Sequence, residues 1–113
     1  MECSIAIQIL PIDQSSDKDL CRVVDCVIDY INKSGLDYFV GPFETAIQGT
    51  YDECMDVLKG CQLVCAKAGC NSMLCYAKID YRPGGKIMTT EDKVGKYHEG
   101  DSALEDAKKF EVA

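Results

Sequence analysis

Eight cysteines carry the most reactive side-chain chemistry in this 113-residue chain. Thiols at suitable spacings form disulfides, bind zinc or act as a redox pair. No Cys-x-x-Cys occurs, and the single histidine, His98, is far from the cysteines along the sequence. The usual zinc and thioredoxin-type spacings are therefore absent. The cysteines are Cys3, Cys21, Cys26, Cys54, Cys61, Cys65, Cys70 and Cys75.

Three of these cysteines share a stripe with helical periodicity. Cys54, Cys61 and Cys65 recur with Leu58 at spacings of three and four residues, and a free cysteine in such a stripe behaves as a small apolar residue. The first residues, Met1-Glu2-Cys3-Ser4, lack the layout of a signal peptide, which argues against disulfides. We therefore expect reduced, buried thiols in a cytoplasmic protein.

Other catalytic constellations are missing from the sequence. A lone histidine near the C-terminus is a poor general base, and no Ser/His/Asp set accompanies it. Neither a Walker loop nor a GxGxxG motif occurs. The carboxylates of Asp52, Glu53 and Asp56 stand at a predicted helix start, where the helix dipole explains them. We predict no catalytic residue, no metal site and no cofactor.

Charge and hydropathy narrow the choice of partners. The formal net charge is −7, and proteins bind phosphate backbones through an excess of Lys and Arg. Nucleic acid is therefore not expected as a partner, nor is an anionic membrane surface. No segment approaches the roughly 20 apolar residues that cross a bilayer.

Hydrophobic periodicity predicts the elements that position the polar side chains. Alternation of apolar and polar residues predicts strands at 3–10, 37–41, 44–48 and 72–81. A helix is predicted from the Ser15-Ser16-Asp17 N-cap to Gly35. A second runs from the Thr50–Glu53 capping box to about Lys67. A short third helix is predicted from Thr89-Thr90 to about Tyr97.

The predicted order is β-α-β-β-α-β followed by a short helix. This order is typical of an α+β fold, the ferredoxin-like split βαβ sandwich, in which both helices pack on one face of a four-stranded antiparallel sheet. The short helix is then a C-terminal helical appendage. We assign residues 1–99 to a single ferredoxin-like domain and residues 100–113 to a polar C-terminal tail.

The sheet face without helices is expected to be partly apolar. Its expected residues are Ser4, Ala6, Gln8, Leu10, Thr45, Ile47, Leu74, Tyr76 and Lys78. An apolar patch of this kind usually marks an interface, so we predict self-association to a dimer or tetramer. The alternative is a hydrated, half-polar sheet face in a monomer. Polar groups within the patch favour a ligand pocket at a subunit boundary.

Residues 34–53 resemble the thiamine-binding protein family. Nine positions match the family motif: Ser34, Gly35, Leu36, Pro42, Thr45, Ile47, Gly49, Asp52 and Glu53. The opening strand, residues 4–11, and the closing segment, residues 78–82, are also similar to the family. The resemblance covers residues 3–97 and implies a ferredoxin-like fold, dimers joined into tetramers, and a pocket for thiamine or its hydroxymethylpyrimidine part near a subunit boundary.

A pyrimidine site needs a flat apolar wall and a few polar partners. Tyr38, Phe43 or Tyr76 can supply the wall. Gln8, Glu44, Thr45 or Gln48 can supply the polar contacts, with Lys78 at the rim. In the family pattern an acidic residue is common at the position of Gln48, whose neutral amide offers both a donor and an acceptor.

Three functions remain open from the sequence. The first is binding of thiamine or hydroxymethylpyrimidine as a carrier, buffer or sensor. The second is a structural or regulatory assembly module without a ligand. The third is a small ferredoxin-like isomerase that uses Glu44 or Tyr76 as acid or base, which a carboxyl group in a closed pocket would favour.

Overall fold

The computed structural model describes residues 1–98 and contains the predicted elements in the predicted order. The elements are β1 (Cys3–Pro11), α1 (Asp17–Lys33), β2 (Asp37–Val40), β3 (Thr45–Gly49), α2 (Tyr51–Lys67), β4 (Met73–Tyr81) and α3 (Thr90–His98). The ferredoxin-like prediction is confirmed, including the helical appendage α3. The predicted polar tail, residues 100–113, lies outside the described residues.

The four strands form one antiparallel sheet in the order β2-β3-β1-β4. β1 pairs with β4 along its whole length, from Cys3 opposite Tyr81 to Pro11 opposite Met73. On its other side β1 pairs with β3. β1 and β3 are therefore central strands, and β2 and β4 are edges.

Both long helices begin at predicted N-cap residues, and the predicted glycine follows the end of α1. The Ser16 side chain caps α1 by accepting a hydrogen bond from the amide of Asp19 at 3.1 Å. At the start of α2, Thr50 and Glu53 form a reciprocal capping box, with bonds of 3.2 and 3.0 Å. Gly35 follows α1 with a φ of 78°, which glycine adopts at little cost.

The apolar stripes of α1 and α2 cover one side of the sheet. Val23, Val27 and Ile31 of α1 are buried, as predicted from their spacing. They pack with Ile5 and Ile7 of β1 in one core. The opposite side of the sheet, which we call the open face, is not covered by either of these helices.

Cysteine supplies much of this core. All eight cysteines are free, and the prediction of buried thiols is confirmed for five of them. Those five are Cys3, Cys54, Cys61, Cys65 and Cys70. Burial raises the pKa of the Cys61 and Cys65 thiols to about 12, because the thiolate would lose its hydration. Cys21, on α1, is exposed.

Two residues of β3 lie on the opposite side of the sheet from the one predicted. Thr45 is opposite Ile7 and Ile47 is opposite Ile5, so both point towards the helices. Ile47 is 0% exposed, which shows why this register is favoured: the other one would place the isoleucine in solvent. The prediction of Thr45 and Ile47 on the open face is therefore wrong. The open face receives Ala46 and Gln48 instead.

The open-face assignments for β1 and β4 are confirmed. Leu74 and Tyr76 lie opposite Leu10 and Gln8. All four side chains belong to the half of the open face that is remote from α3, and Leu10, Leu74 and Tyr76 are exposed. No helix of residues 1–98 is long and apolar enough to cross a membrane.

Candidate functional site

A row of four side chains crosses the middle of the open face. The ladder pairs Phe39 of β2 with Ala46 of β3, Ala46 with Ala6 of β1, and Ala6 with Lys78 of β4. Paired residues point to the same side of a sheet, so these four lie side by side. The row is a flat floor of two alanines with an aromatic ring at one end and a lysine at the other.

A polar row lies next to this floor. Asp37, Gln48, Ser4 and Asp80 occupy successive strands two residues from the first row. The helix α3 reaches this second row: the backbone amide of Thr90 donates a hydrogen bond to Oε1 of Gln48 at 3.0 Å. The ammonium of Lys93 lies 3.8 Å from the carboxylate of Asp80. The start of α3 therefore stands over the polar row as a wall beside the floor.

The β2–β3 loop, residues 41–44, forms the opposite wall. The amide of Gly41 donates to the carbonyl of Glu44 at 2.9 Å, which closes the loop. A Cβ atom on Gly41 would lie 2.8 Å from that carbonyl oxygen, so this turn requires a glycine. The tight closure presents Pro42 and the exposed ring of Phe43 beside the floor.

These walls enclose a cavity of about 530 Å³, which we call the open-face cleft. Ligand pockets commonly span roughly 300 to 1,000 Å³, so the open-face cleft can hold a small organic molecule. Its lining is Ser4, Ile5, Ala6, Phe39, Gly41, Pro42, Phe43, Glu44, Ala46, Lys78, Ile79, Asp80, Thr90, Lys93 and Val94.

Two ion pairs stand at the rim of the open-face cleft. Lys78 lies 3.4 Å from Glu44, and Lys93 lies 3.8 Å from Asp80, which is also 3.7 Å from Arg82. Their side chains are partly exposed, and exposed pairs of this kind contribute up to about 1 kcal/mol each. A ligand that offers a better partner can therefore displace either lysine at small cost.

The side chains that line the cleft determine which class of ligand it can hold. Among residues 1–98, no group of three or more histidine, cysteine or acidic side chains is placed to hold a metal. The cleft offers an aromatic edge, a small apolar floor, the hydroxyls of Ser4 and Thr90, two carboxylates and two ammonium groups. That set matches a flat, partly polar molecule with hydrogen-bond donors or a positive charge.

The eight residues predicted for the site divide into four groups. Phe43, Glu44 and Lys78 line the open-face cleft. Gln48 lies behind its wall, where it is 9% exposed and holds α3. Gln8 and Tyr76 form a pair further along the open face.

The other two predicted residues, Tyr38 and Thr45, point to the helix side. Tyr38 is opposite Ile47 in the ladder, and its hydroxyl donates to Oδ1 of Asn32 on α1 at 3.0 Å. Thr45 lines a second cavity of about 110 Å³, between α1 and the β2–β3 loop, which Gln8 also lines. Neither Tyr38 nor Thr45 belongs to the open-face cleft, because the register of β2 and β3 turns the alternate residues inward.

Several lining residues were not among the predicted site residues. Phe39 replaces Tyr38 as the aromatic wall, and strand alternation already separates the two rings onto opposite faces. Ala46 follows from the same register once Ile47 is assigned to the core. The α3 residues Lys93 and Val94 carry no sequence signal for a site, since their role depends on where α3 docks.

Comparisons with known proteins agree with this architecture. One family model, described as thiamine-binding protein, matches residues 5–98. A UPF0045 protein from Clostridium perfringens is 40% identical over 95 residues, which cover 84% of this chain and 96% of the relative.

Two solved structures are similar along nearly their whole length. A domain of unknown function, DUF77, from Bacillus cereus has a TM-score of 0.76 at 32% identity, with 88% of this chain and 92% of that one covered. A Thermotoga maritima protein provisionally assigned to thiamine biosynthesis or salvage has a TM-score of 0.74 at 31% identity, with coverage of 87% and 100%.

Proposed function

The chain belongs to the thiamine-binding protein family, and from that membership we propose that it binds thiamine, or the hydroxymethylpyrimidine part of thiamine, in the open-face cleft. The observation that carries the proposal is the row from Phe39 across Ala46 and Ala6 to Lys78. It provides a flat apolar floor with an aromatic edge, which suits a planar ring. The similar Thermotoga maritima protein, assigned provisionally to thiamine biosynthesis or salvage, supports the same ligand class.

The floor suits a pyrimidine ring because its side chains are small. Two neighbouring alanines let a flat ring approach the sheet closely, and the ring of Phe39 can contact its edge. On the opposite wall, Phe43 is 80% exposed, so it has apolar surface that a bound ring would cover. Burial of such surface contributes roughly 25 cal/mol per Å² before the costs of binding.

Polar groups around the floor complement an aminopyrimidine. The carboxylate of Glu44 can accept hydrogen bonds from the amino group of the ligand. The hydroxyl of Ser4, on the far side of the floor, can donate to a ring nitrogen or accept from a hydroxymethyl group. These contacts fix the orientation of the ring, while the apolar floor provides contact area.

The carboxylates at the rim can bind a cation once a lysine side chain moves away. Thiamine carries a positively charged thiazolium ring, and both carboxylates of the cleft, Glu44 and Asp80, are paired only with partly exposed lysine and arginine side chains. A thiazolium group can replace Lys78 beside Glu44. The net charge of −7 also attracts a cationic ligand over longer distances.

A binding role as a carrier, buffer or sensor fits this site better than the isomerase alternative. An acid–base carboxyl group is favoured by a closed pocket that excludes water. The Glu44 side chain is instead 41% exposed and forms an ion pair with Lys78. Tyr76 lies outside the cleft lining, at the exposed end of the open face.

We also propose that the uncovered half of the open face joins copies of this chain in a dimer or tetramer. Leu10, Leu74 and Tyr76 are exposed together there, and grouped apolar side chains of this kind favour association. The neighbouring edge strand β4 is nine residues long and offers unpaired backbone groups along its outer side. Gln8 and Tyr76 would then lie at the subunit boundary. A ligand-free assembly module is the alternative that this patch supports.

Titration calorimetry with thiamine and with hydroxymethylpyrimidine tests the proposed function. We expect saturable binding of at least one compound, and the absence of heat at millimolar ligand for both would reject the proposed function.

Ala46→Leu, which fills the floor, should weaken binding by at least about tenfold, equivalent to 1.4 kcal/mol. The matched control is Ala77→Leu, because Ala77 is exposed on the other side of the sheet. Native mass spectrometry of the same samples reports the oligomer and the bound mass together.

A further inference from the structure

The helix α3 is held to the sheet by very little apolar contact. None of its side chains from residue 90 to residue 97 is fully buried. Val94 lines the open-face cleft, one turn after Thr90 on the same side of the helix. The ion pair between Lys93 and Asp80 is partly exposed and 3.8 Å long, so it adds little. The position of α3 must therefore depend on polar contacts near its start.

The backbone of α3 begins with amide groups that need partners from outside the helix. The first amides of any helix lack a partner in the preceding turn. The hydroxyl of Thr89 accepts from the amide of Asp92 at 3.0 Å, which satisfies one of them. The amide of Thr90 is satisfied by Oε1 of Gln48, which belongs to β3 and lies 42 residues earlier in the chain.

Gln48 is itself held in one orientation. Its Nε2 donates to Oδ2 of Asp37 on the neighbouring strand at 3.4 Å, which leaves Oε1 facing Thr90. The segment before α3 is anchored as well, because Ile87 is buried and its amide donates to the carbonyl of Met1 at 3.1 Å. The chain is thus fixed at Ile87 and again at Thr90, and the rest of α3 extends from those two points.

We propose that Gln48 is a positioning residue that fixes α3 as a movable wall of the open-face cleft. The bond to Thr90 sets the angle at which α3 leaves the sheet, and that angle places Lys93 and Val94 beside the floor. Without the bond, α3 swings about Ile87, the cleft opens at that end, and a bound molecule leaves faster. The inference that α3 retains a bound molecule rests on the proposed function. The role of the hydrogen bond between Gln48 and Thr90 in holding α3 does not depend on it.

Hydrogen exchange at the amides of α3 tests the bond without any ligand. Gln48→Met keeps the length of the side chain but removes the acceptor, so exchange in residues 90–97 should rise about fivefold, the effect of one net hydrogen bond. The double variant Gln48→Glu/Asp37→Asn keeps an acceptor for Thr90, restores a donor–acceptor pair between positions 37 and 48, and should leave exchange close to that of the unmodified chain. Asp37→Ala, which removes the partner that orients Gln48 but leaves the acceptor in place, should raise exchange less than Gln48→Met does. Unchanged exchange in Gln48→Met overturns the proposal.

A second variant removes the same bond from the other side. Thr90→Pro deletes the donating N–H at the first helical position, where proline is well tolerated. It leaves Gln48 and the sheet intact, so it keeps the test valid if Gln48→Met fails to fold. The melting temperature of each variant and the exchange in α1 and α2 should stay unchanged, because the core does not contain α3. General loss of protection in α1 and α2 would show a structural role only and contradict the proposal.

The dissociation rate of thiamine tests the consequence for the cleft. We expect release to be about fivefold faster from Gln48→Met, in parallel with the exchange of α3, and unchanged from Gln48→Glu/Asp37→Asn. Thr90→Pro serves the exchange test only, because Thr90 lines the cleft. Faster exchange with an unchanged release rate would overturn the role of α3 as a wall. If the unmodified chain binds neither thiamine nor hydroxymethylpyrimidine, the proposed function fails, and hydrogen exchange alone decides whether Gln48 positions α3.

Discussion

The ammonium group of Lys78 lies 3.4 Å from a carboxylate oxygen of Glu44, and the pair spans the central strand β1. Lys78 belongs to one edge strand and Glu44 to the loop before β3, so the contact exists only when β3, β1 and β4 have paired. Both residues line the open-face cleft. Their charges have opposite consequences for a cationic ligand, which makes the pair a direct probe of the site.

Substitutions at the two ends of this pair should change thiamine affinity in opposite directions. Glu44→Gln removes the charge that attracts a thiazolium ring, and we expect binding about tenfold weaker, because hydrogen bonds to charged groups contribute roughly 1.5 to 3 kcal/mol. Lys78→Met frees the carboxylate and should strengthen binding. Calorimetry at two salt concentrations measures both effects. Equal weakening by both substitutions would contradict a cation-binding site.

The aromatic wall gives a second pair of variants. Phe39 lines the cleft, whereas its neighbour Tyr38 points to the helix side. We expect Phe39→Ala to weaken ligand binding by about tenfold through lost contact area, equivalent to about 1.4 kcal/mol. Tyr38→Phe, which loses only the hydrogen bond to Asn32, should bind normally and lower stability by about 1 kcal/mol. Calorimetry and thermal unfolding separate the two effects.

Acid should weaken the link between the end of β1 and the start of β4. Hydrogen bonds lower the pKa of Asp13, first the bond from the amide of Asn71 at 2.7 Å, then those from Gln14 and Cys70. Because the folded pKa lies below the unfolded one, the carboxylate stabilises the fold above the unfolded value of about 3.9. That contribution disappears as the pH falls through the folded pKa.

The Asp13→Asn variant should therefore lose part of its acid sensitivity. Melting temperatures measured between about pH 6 and pH 3 should fall less steeply for Asp13→Asn than for the unmodified chain. Asp25→Asn, at an exposed position of α1, is the matched control. Identical pH profiles of the melting temperature for Asp13→Asn and the unmodified chain would refute the stabilising role of the Asp13 carboxylate.

The thiols should differ sharply in reactivity. Burial raises the pKa of Cys61 and Cys65 to about 12, so almost no thiolate forms at neutral pH, and access is blocked as well. Cys21 is exposed on α1. Iodoacetamide followed by mass spectrometry should modify Cys21 first, and denaturant should make all eight cysteines react. Early modification of Cys61 in the folded protein would contradict its place in the core.

The helices and their order were predictable because their signals are local. Ser16, Thr50 and Glu53 cap helices through contacts within three residues, and the apolar stripe of α1 reports its buried side directly. Strand positions were predictable for the same reason, since alternation is a property of neighbouring residues.

The faces of the short strands β2 and β3 were harder to assign. In four or five residues, alternation alone does not say which set points inward, and the register against β1 decides it. Thr45 and Ile47 were therefore predicted on the open face although they point to the helix side. The wall formed by α3 depends on one hydrogen bond between residues far apart in sequence, Gln48 and Thr90, and no local pattern indicates it.

The pairing of the first strand with the last has a consequence during protein synthesis. The open-face cleft combines Ser4 and Ala6 from β1 with Lys78 and Asp80 from β4, and α3 follows later still. A nascent chain that has not yet released β4 from the ribosome lacks the lysine end of the floor and one wall. Contacts so distant in sequence form late in folding. Any molecule that binds in the open-face cleft would therefore act on the finished domain and not on the earliest folding steps.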